Sequence, residues 1–309
     1  MSKLSSRVAQ GITGFVNKSL VKNVIIIVLC VALVFIQIFF PYNYYSTADR
    51  NPSSTFQVGI HYIYEQDNTS LVYDQVTSIY NLGFKVIRID LYCNPQVNDD
   101  PANQKTDVFF SATNHYGLAV ALVIPNQEPA ATLNYYLNRW GSDLKYIQIM
   151  NEPETSSSWD VGAVFTDDEI ISNFNTLYSI VESYHLPAQL YTNFGIGYIL
   201  RSNIPIDLST KLNFVGLDIY QQSFVVLSPL FIQNLHQITH KNVIITEFGI
   251  PTTNSTLQTN YIINGLNLFK SLGLQGCWIV YWNSANDNYG IRGTPTQTAI
   301  GDWIAKNAN

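Results

Sequence analysis

Charge is scarce in this sequence. Asp, Glu, Lys and Arg together make up 12% of the 309 residues, about half the usual share. Disorder of the common kind combines high charge with low hydrophobicity, and a chain that is 47% apolar has neither. A basic excess is also missing. The net charge of −6 and pI near 5.3 exclude the positive footprint of a general nucleic-acid binder. Three cysteines, Cys30, Cys93 and Cys277, are too few for a disulfide framework. A mean hydropathy of +0.05 is too low for a multi-span membrane protein.

Acidic residues are absent from the first 48 positions, where Lys3, Arg7, Lys18 and Lys22 carry all the charge. Residues 49–309 hold 12 basic and 22 acidic side chains, net −10. Between the basic start and the acidic remainder lies Val24–Phe40, a run of 17 residues with Gln37 its one polar member. At about 1.5 Å per residue it spans roughly 25 Å, enough to cross a bilayer. The expectation is a cytoplasmic basic segment over 1–22, a transmembrane helix or uncleaved signal over 23–40, and everything beyond it outside the cell. A cleaved signal peptide, with Ser46-Thr47-Ala48 as the small-residue site, is the rival reading, and it gives a secreted protein. Asn68-Thr69-Ser70 and Asn254-Ser255-Thr256 are glycosylation acceptors that export would expose. Residues 41–55 are rich in Tyr, Ser and Pro without periodicity and read as a linker.

Beyond the linker the chain repeats one unit. Apolar runs begin at 56, 85, 117, 145, 188, 213, 242 and 276, a mean spacing of about 31 residues, with helix-patterned stretches between them. In Leu71–Leu82, the residues Leu71, Val72, Val76, Ile79 and Tyr80 mark one face. Several runs are apolar at nearly every position, as parallel strands covered on both faces are. Eight such units in the 254 residues 56–309 predict an α/β fold, a (β/α)8 TIM barrel preceded by one N-terminal transmembrane helix. A doubly wound sheet is the alternative. It would carry a Gly-rich phosphate turn after the first strand, where Tyr62-Ile63-Tyr64-Glu65 stands instead.

A barrel assembles its active site from the carboxyl ends of several strands. The fourth run ends in Asn151-Glu152-Pro153 and the seventh contains Thr246-Glu247-Phe248-Gly249. Arg88 lies in the second run, His61 near the end of the first, Tyr220 after the sixth, and Trp282 closes the eighth. Two carboxylates at one crater suit glycoside hydrolysis. One protonates the departing oxygen, and the other attacks the anomeric carbon or activates water there. Glu247 beside Arg88 is the expected nucleophile and Glu152 the acid/base. Asn151 is placed to bond the sugar 2-hydroxyl, Trp282 to offer a flat platform, and Tyr220 to donate to Glu247.

These motifs resemble clan A glycoside hydrolases, barrel enzymes with a catalytic glutamate ending strands four and seven. Gly83-Phe84-Lys85-Val86-Ile87-Arg88-Ile89 is similar to the second-strand pattern of family five, and Tyr220 and Trp282 match its sixth-strand tyrosine and eighth-strand tryptophan. Two family-five histidines are replaced. Pro125-Asn126-Gln127 stands after the third strand, making Asn126 a further substrate-binding candidate, and Asp218 precedes Tyr220 by two residues. The resemblance implies retention through a covalent glycosyl-enzyme, with carboxyl groups about 5–5.5 Å apart. It implies no metal or organic cofactor, and an oligo- or polysaccharide substrate of the β-linked glucan or mannan kind. The competing reading is a non-catalytic glycan-binding or cell-envelope protein built on the same barrel.

Structural readings account for the other reactive side chains. His236 and His240 have the spacing of a zinc-protease helix, but Gln237 stands where the glutamate base is required. They precede the seventh strand, at the wrong end of the barrel. Cys93 follows one strand and Cys277 opens another, so they fall at opposite ends and do not pair.

Overall fold

A computed structural model describes residues 56–153, 165–195, 210–220, 222–283 and 288–308. The expected cytoplasmic segment, transmembrane helix and linker lie outside the described residues. All described residues belong to one unit, residues 51–309. Among them, no helix is long and apolar enough to cross a membrane.

The apolar runs form strands β1 (Gln57–His61), β2 (Val86–Asp90), β3 (Ala119–Ile124), β4 (Leu144–Ile149), β5 (Gln189–Tyr191), β6 (Asn193–Gly195), β7 (Phe214–Ile219), β8 (Asn242–Phe248) and β9 (Gly276–Ile279). Every neighbouring pair is parallel, in the order β5-β4-β3-β2-β1-β9-β8-β7-β6. Only Thr192 separates β5 from β6. The fifth run therefore pairs with β4 through its first half and with β7 through its second. Bonds from Asn213 N to Leu190 O (2.8 Å) and Gly216 N to Thr192 O (2.8 Å) stitch that seam. Counted as one strand, the segment gives the eight-stranded barrel expected of eight repeats.

Helices α1 (Thr69–Asn81), α2 (Pro101–Tyr116), α3 (Ala130–Trp140), α4 (Asp167–Ser183), α5 (Gln222–Thr239), α6 (Ser255–Ser271) and α7 (Pro295–Asn307) connect the strands. Local chemistry sets their ends. Asp100 caps α2 through Ala102 N with Pro101 in the first turn, and Thr166 and Glu169 form a reciprocal capping box on α4. In α1, Val72, Val76 and Ile79 are fully buried, whereas Leu71 and Tyr80 are 42% exposed. At 3.6 residues per turn those two fall at the margins of the buried stripe.

The barrel interior has an aromatic lower layer. Tyr191, Phe214 and Trp278 pack with Val86, Ala121 and Ile244. Glycine makes room at two positions: a Cβ on Gly59 would meet the Trp278 ring at 2.4 Å, and one on Gly216 would meet Thr246. Above this layer, toward the strand ends, the interior turns polar. Arg88, Gln148, Asn193, Asp218, Thr246 and Glu247 are all buried there.

Candidate active site

Arg88 organises the polar layer. It is 1% exposed, and a buried cation needs partners on every side. Its Nη2 pairs with Glu247 Oε1 at 2.6 Å and donates to Asn151 Oδ1 at 2.9 Å. Nε and Nη2 both donate to Gln148 Oε1, at 3.2 and 3.1 Å. Burial works against the guanidinium charge, but the Glu247 carboxylate outweighs it and holds the arginine pKa above its ordinary value. Nη1 lies 2.8 Å from His61 Nδ1. Arginine only donates, so Nδ1 accepts and the imidazole proton sits on Nε2. That nitrogen lies 3.2 Å from Asp90 Oδ2.

Directly after β4 the backbone enters the left-handed region, with φ of 67° at Met150 and 39° at Glu152. Non-glycine residues occupy it at a cost and persist where surroundings hold them, which is common at functional sites. Two asparagines do the holding. Asn126 accepts from Asn151 N (2.8 Å) and donates to Asn151 O (3.0 Å). Asn193 accepts from Glu152 N (2.8 Å) and donates to Asn151 Oδ1 (2.9 Å). Glu152 is thus aimed by its backbone, and it lines the same cavity as Glu247, a space of about 480 Å³.

Asp218 joins the two carboxylate-bearing strands from below. It is 2% exposed, accepts from Thr246 Oγ1 at 2.7 Å, and accepts from Asn193 Nδ2 at 2.5 Å. Burial, then the charges of Glu247 and Glu152, push its pKa well above the carboxylate range. Glu247 is itself 3% exposed and ion-paired, while Glu152 is half-buried. The two candidate catalytic carboxyls therefore have unlike surroundings, the condition for dividing acid and nucleophile roles.

The structure brings His61, Arg88, Asn151, Glu152, Tyr220 and Glu247 to one cavity. Three expectations fare differently. Trp282 does not line it: the ring is 1% exposed, and its Nε1 donates to Gln75 of α1 at 2.9 Å. Tyr281 takes its place in the wall, 4.7 Å from the His61 ring. Asn126 is buried beneath the Asn151 backbone and is not among the lining residues. Tyr220 packs edge-on to Tyr289 and makes no hydrogen bond to Glu247 among the described residues. Sequence reasoning missed Gln148, Asn193, Glu65, Tyr281 and Tyr289. Gln148 and Asn193 did leave a signal, as uncharged polar residues inside apolar runs.

The barrel is similar to those of solved glycoside hydrolases. One is a β-galactosidase from the psychrophilic Marinomonas ef1, with TM-score 0.63 and 11% identity over 81% of this chain and 59% of that one. This chain thus spans less than two thirds of that protein. Another is an endo-1,4-β-mannanase from Rhizomucor miehei, with TM-score 0.62 and 12% identity over 82% and 95%. A third is GH5_18 from Streptomyces cattleya in complex with GlcNAc, with TM-score 0.60 and 9% identity over 82% and 80%. At these identities the likeness is one of fold. No protein-family model and no curated protein matches the chain.

Among the described residues, no group of three or more His, Cys, Asp or Glu is placed to hold a metal ion. His236 Nδ1 bonds the Lys241 carbonyl at 2.7 Å, and Cys93 and Cys277 are both free thiols.

Proposed function

We propose that the protein is a retaining glycoside hydrolase of clan A type that cleaves β-linked glycans. Residues 23–40 tether it to a membrane, with 1–22 in the cytoplasm and the barrel outside; cleavage of the N-terminal segment would instead secrete it. The observation that carries the catalytic reading is the buried Arg88–Glu247 pair at 2.6 Å, sharing one cavity with Glu152. The fold shared with a mannanase and a β-galactosidase supports it.

In the first step a Glu247 oxygen bonds to the anomeric carbon while the glycosidic C–O bond breaks. Glu152 gives its proton to the departing oxygen. In the second step water attacks the anomeric carbon, Glu152 takes its proton, and Glu247 leaves as a carboxylate. Arg88 orients the attacking oxygen and disperses its charge. Asn151, bonded to Arg88, Gln148 and Asn193 through its Oδ1, keeps its Nδ2 as a donor for a sugar hydroxyl.

A 2-fluoro β-glycoside with a good leaving group tests this reading. Peptide mapping should find the sugar esterified to Glu247, and Glu247→Ala should lose turnover and regain part of it with azide. An intact, noncovalent sugar in the cavity, or full activity in Glu247→Ala, would point to the glycan-binding alternative.

A further inference from the structure

The cavity has a second pair of carboxyls that the reaction above does not use. Glu65 sits in the 3₁₀ turn Tyr64–Gln66 after β1, and Asp90 ends β2. Both line the cavity. Glu65 Oε2 and Asp90 Oδ2 are shielded from solvent, and Glu65 Oε2 has no hydrogen-bond partner among the described residues. Asp90 Oδ2 faces His61 Nε2 at 3.2 Å, on a ring that is 2% exposed. Buried polar atoms are normally satisfied, and the bare Glu65 oxygen beside this pair calls for an explanation.

A ligand supplies it. We propose that Glu65, Asp90 and His61 form the hydrogen-bonding wall that recognises adjacent hydroxyls of an uncharged sugar ring held beside Glu152 and Glu247. This assignment rests on the glycosidase reading for the ring's position. Two carboxyls side by side match two neighbouring hydroxyls, and Tyr220, Tyr281 and Tyr289 in the same cavity offer apolar faces to the ring.

The charge of the wall sets the ligand class. Arg88 is already committed to Glu247, Gln148, Asn151 and His61. Lys105 Nζ is held by the Glu65 backbone carbonyl at 2.7 Å. Among the described residues an acidic sugar would therefore meet carboxyls with no uncommitted cation to receive it, so the wall selects against uronic acids. Protonation suits the role. Burial and the Asp90 charge push Glu65 up to about 8, so near neutrality it offers an O–H. Burial opposes the Asp90 charge, but His61 and Arg88 hold that carboxyl low, so it accepts.

The test is calorimetric titration of the full chain in a sugar-free zwitterionic detergent at pH 6. The probes are cellobiose, mannobiose, xylobiose and cellobiouronic acid, with folding checked by circular dichroism. At least one neutral disaccharide should bind, and the uronic one at least tenfold more weakly. Glu65→Gln and Asp90→Asn should each weaken the neutral sugar about tenfold or more. Mono-deoxy analogues of the bound sugar should identify one hydroxyl whose removal costs affinity in the wild type but not in Glu65→Gln, a coupling that a merely structural role would not produce. If Asp90→Asn fails to fold, Glu65→Gln with the deoxy series carries the test alone. Wild-type affinity in Glu65→Gln, equal binding of the uronic sugar, or no binding of any neutral disaccharide overturns the inference. Failure to label Glu247 with the 2-fluoro glycoside, alongside Glu65-dependent binding, would sink the catalytic reading and leave this one standing.

Discussion

Replacing Arg88 with Met keeps most of the side chain's volume and removes its charge. Glu247, 3% exposed, would then be a buried carboxylate without its cation. Breaking a buried pair in this way costs about 3–5 kcal/mol. A second loss adds to it. Gln148 Oε1 accepts two bonds, both from Arg88, and leaving it bare costs about 1–3 kcal/mol. Asn151 Oδ1 keeps its bonds from Gln148 Nε2 (2.7 Å) and Asn193 Nδ2 (2.9 Å), so it adds little. From these two losses alone, before the bond to His61 Nδ1 is counted, Arg88→Met should lose about 4–8 kcal/mol, a large part of the stability of an ordinary domain. Arg88→Met/Glu247→Met removes both charges and retains the losses at Gln148 Oε1 and His61 Nδ1. The double variant should be more stable than the single one by about 3–5 kcal/mol, or about 6–20 °C in Tm for a domain of this size. Both should be inactive. Thermal and urea unfolding followed by circular dichroism give the comparison. A double variant no more stable than the single one would show that the pair is not the buried, mutually dependent unit described above.

Two further predictions follow from neighbouring side chains. Asp218 has a raised pKa in the folded protein, so the native state holds a proton that the unfolded chain releases above about pH 3.9. Stability then declines as pH rises from that value toward Asp218's own folded-state pKa. Asp218→Asn should be equal to wild type at pH 3 and more stable at pH 7, read by Tm across pH; a gain that shrinks with rising pH would refute the assignment. Tyr281→Ala should raise KM on a neutral β-glycoside, while Trp282→Phe should lower stability by about 1–3 kcal/mol through its lost bond to Gln75 and lost volume, with KM nearly unchanged. A KM effect in Trp282→Phe equal to that in Tyr281→Ala would restore Trp282 to the cavity wall.

The barrel was legible because its strands are buried on both faces and so read as apolar runs, and because their spacing was regular. Arg88, Glu152 and Glu247 were legible for the same reason: a charge inside or ending an apolar run stands out. Gln148 and Asn193 stood in the same runs but, being uncharged, demanded no partner and drew no attention. Glu65 could not be found this way. It lies in a three-residue turn with no periodicity, and the charged groups that act on it, Asp90 and Lys105, are distant in sequence and on other elements. Trp282 was misplaced by one position. β9 ends at Ile279, and a single-residue slip moves a side chain to the opposite face, so Tyr281 faces the cavity and the indole faces α1. The split at Thr192 was hidden because a one-residue change of pairing leaves no mark on hydrophobicity.

The two positions that depart from the family-five pattern are where the scaffold beneath the glutamates is made. Asn126 fixes the Asn151 backbone by two bonds, and Asp218 ties Thr246 beside Glu247 to Asn193, which holds the Glu152 amide. Neither lines the cavity. The absence of two histidines there does not by itself argue against an enzyme, because Asn126 and Asp218 are both hydrogen-bonded into the scaffold that positions the glutamates. A binding protein needs a shaped wall, which Glu65, Asp90 and the tyrosines supply. Catalysis adds a reason for left-handed backbone at Glu152 held by two asparagines and for a cation buried against Glu247. In a chain only 12% charged, placing five charged side chains in one 480 Å³ cavity makes sense if two of them react and the others hold the sugar and the nucleophile in place.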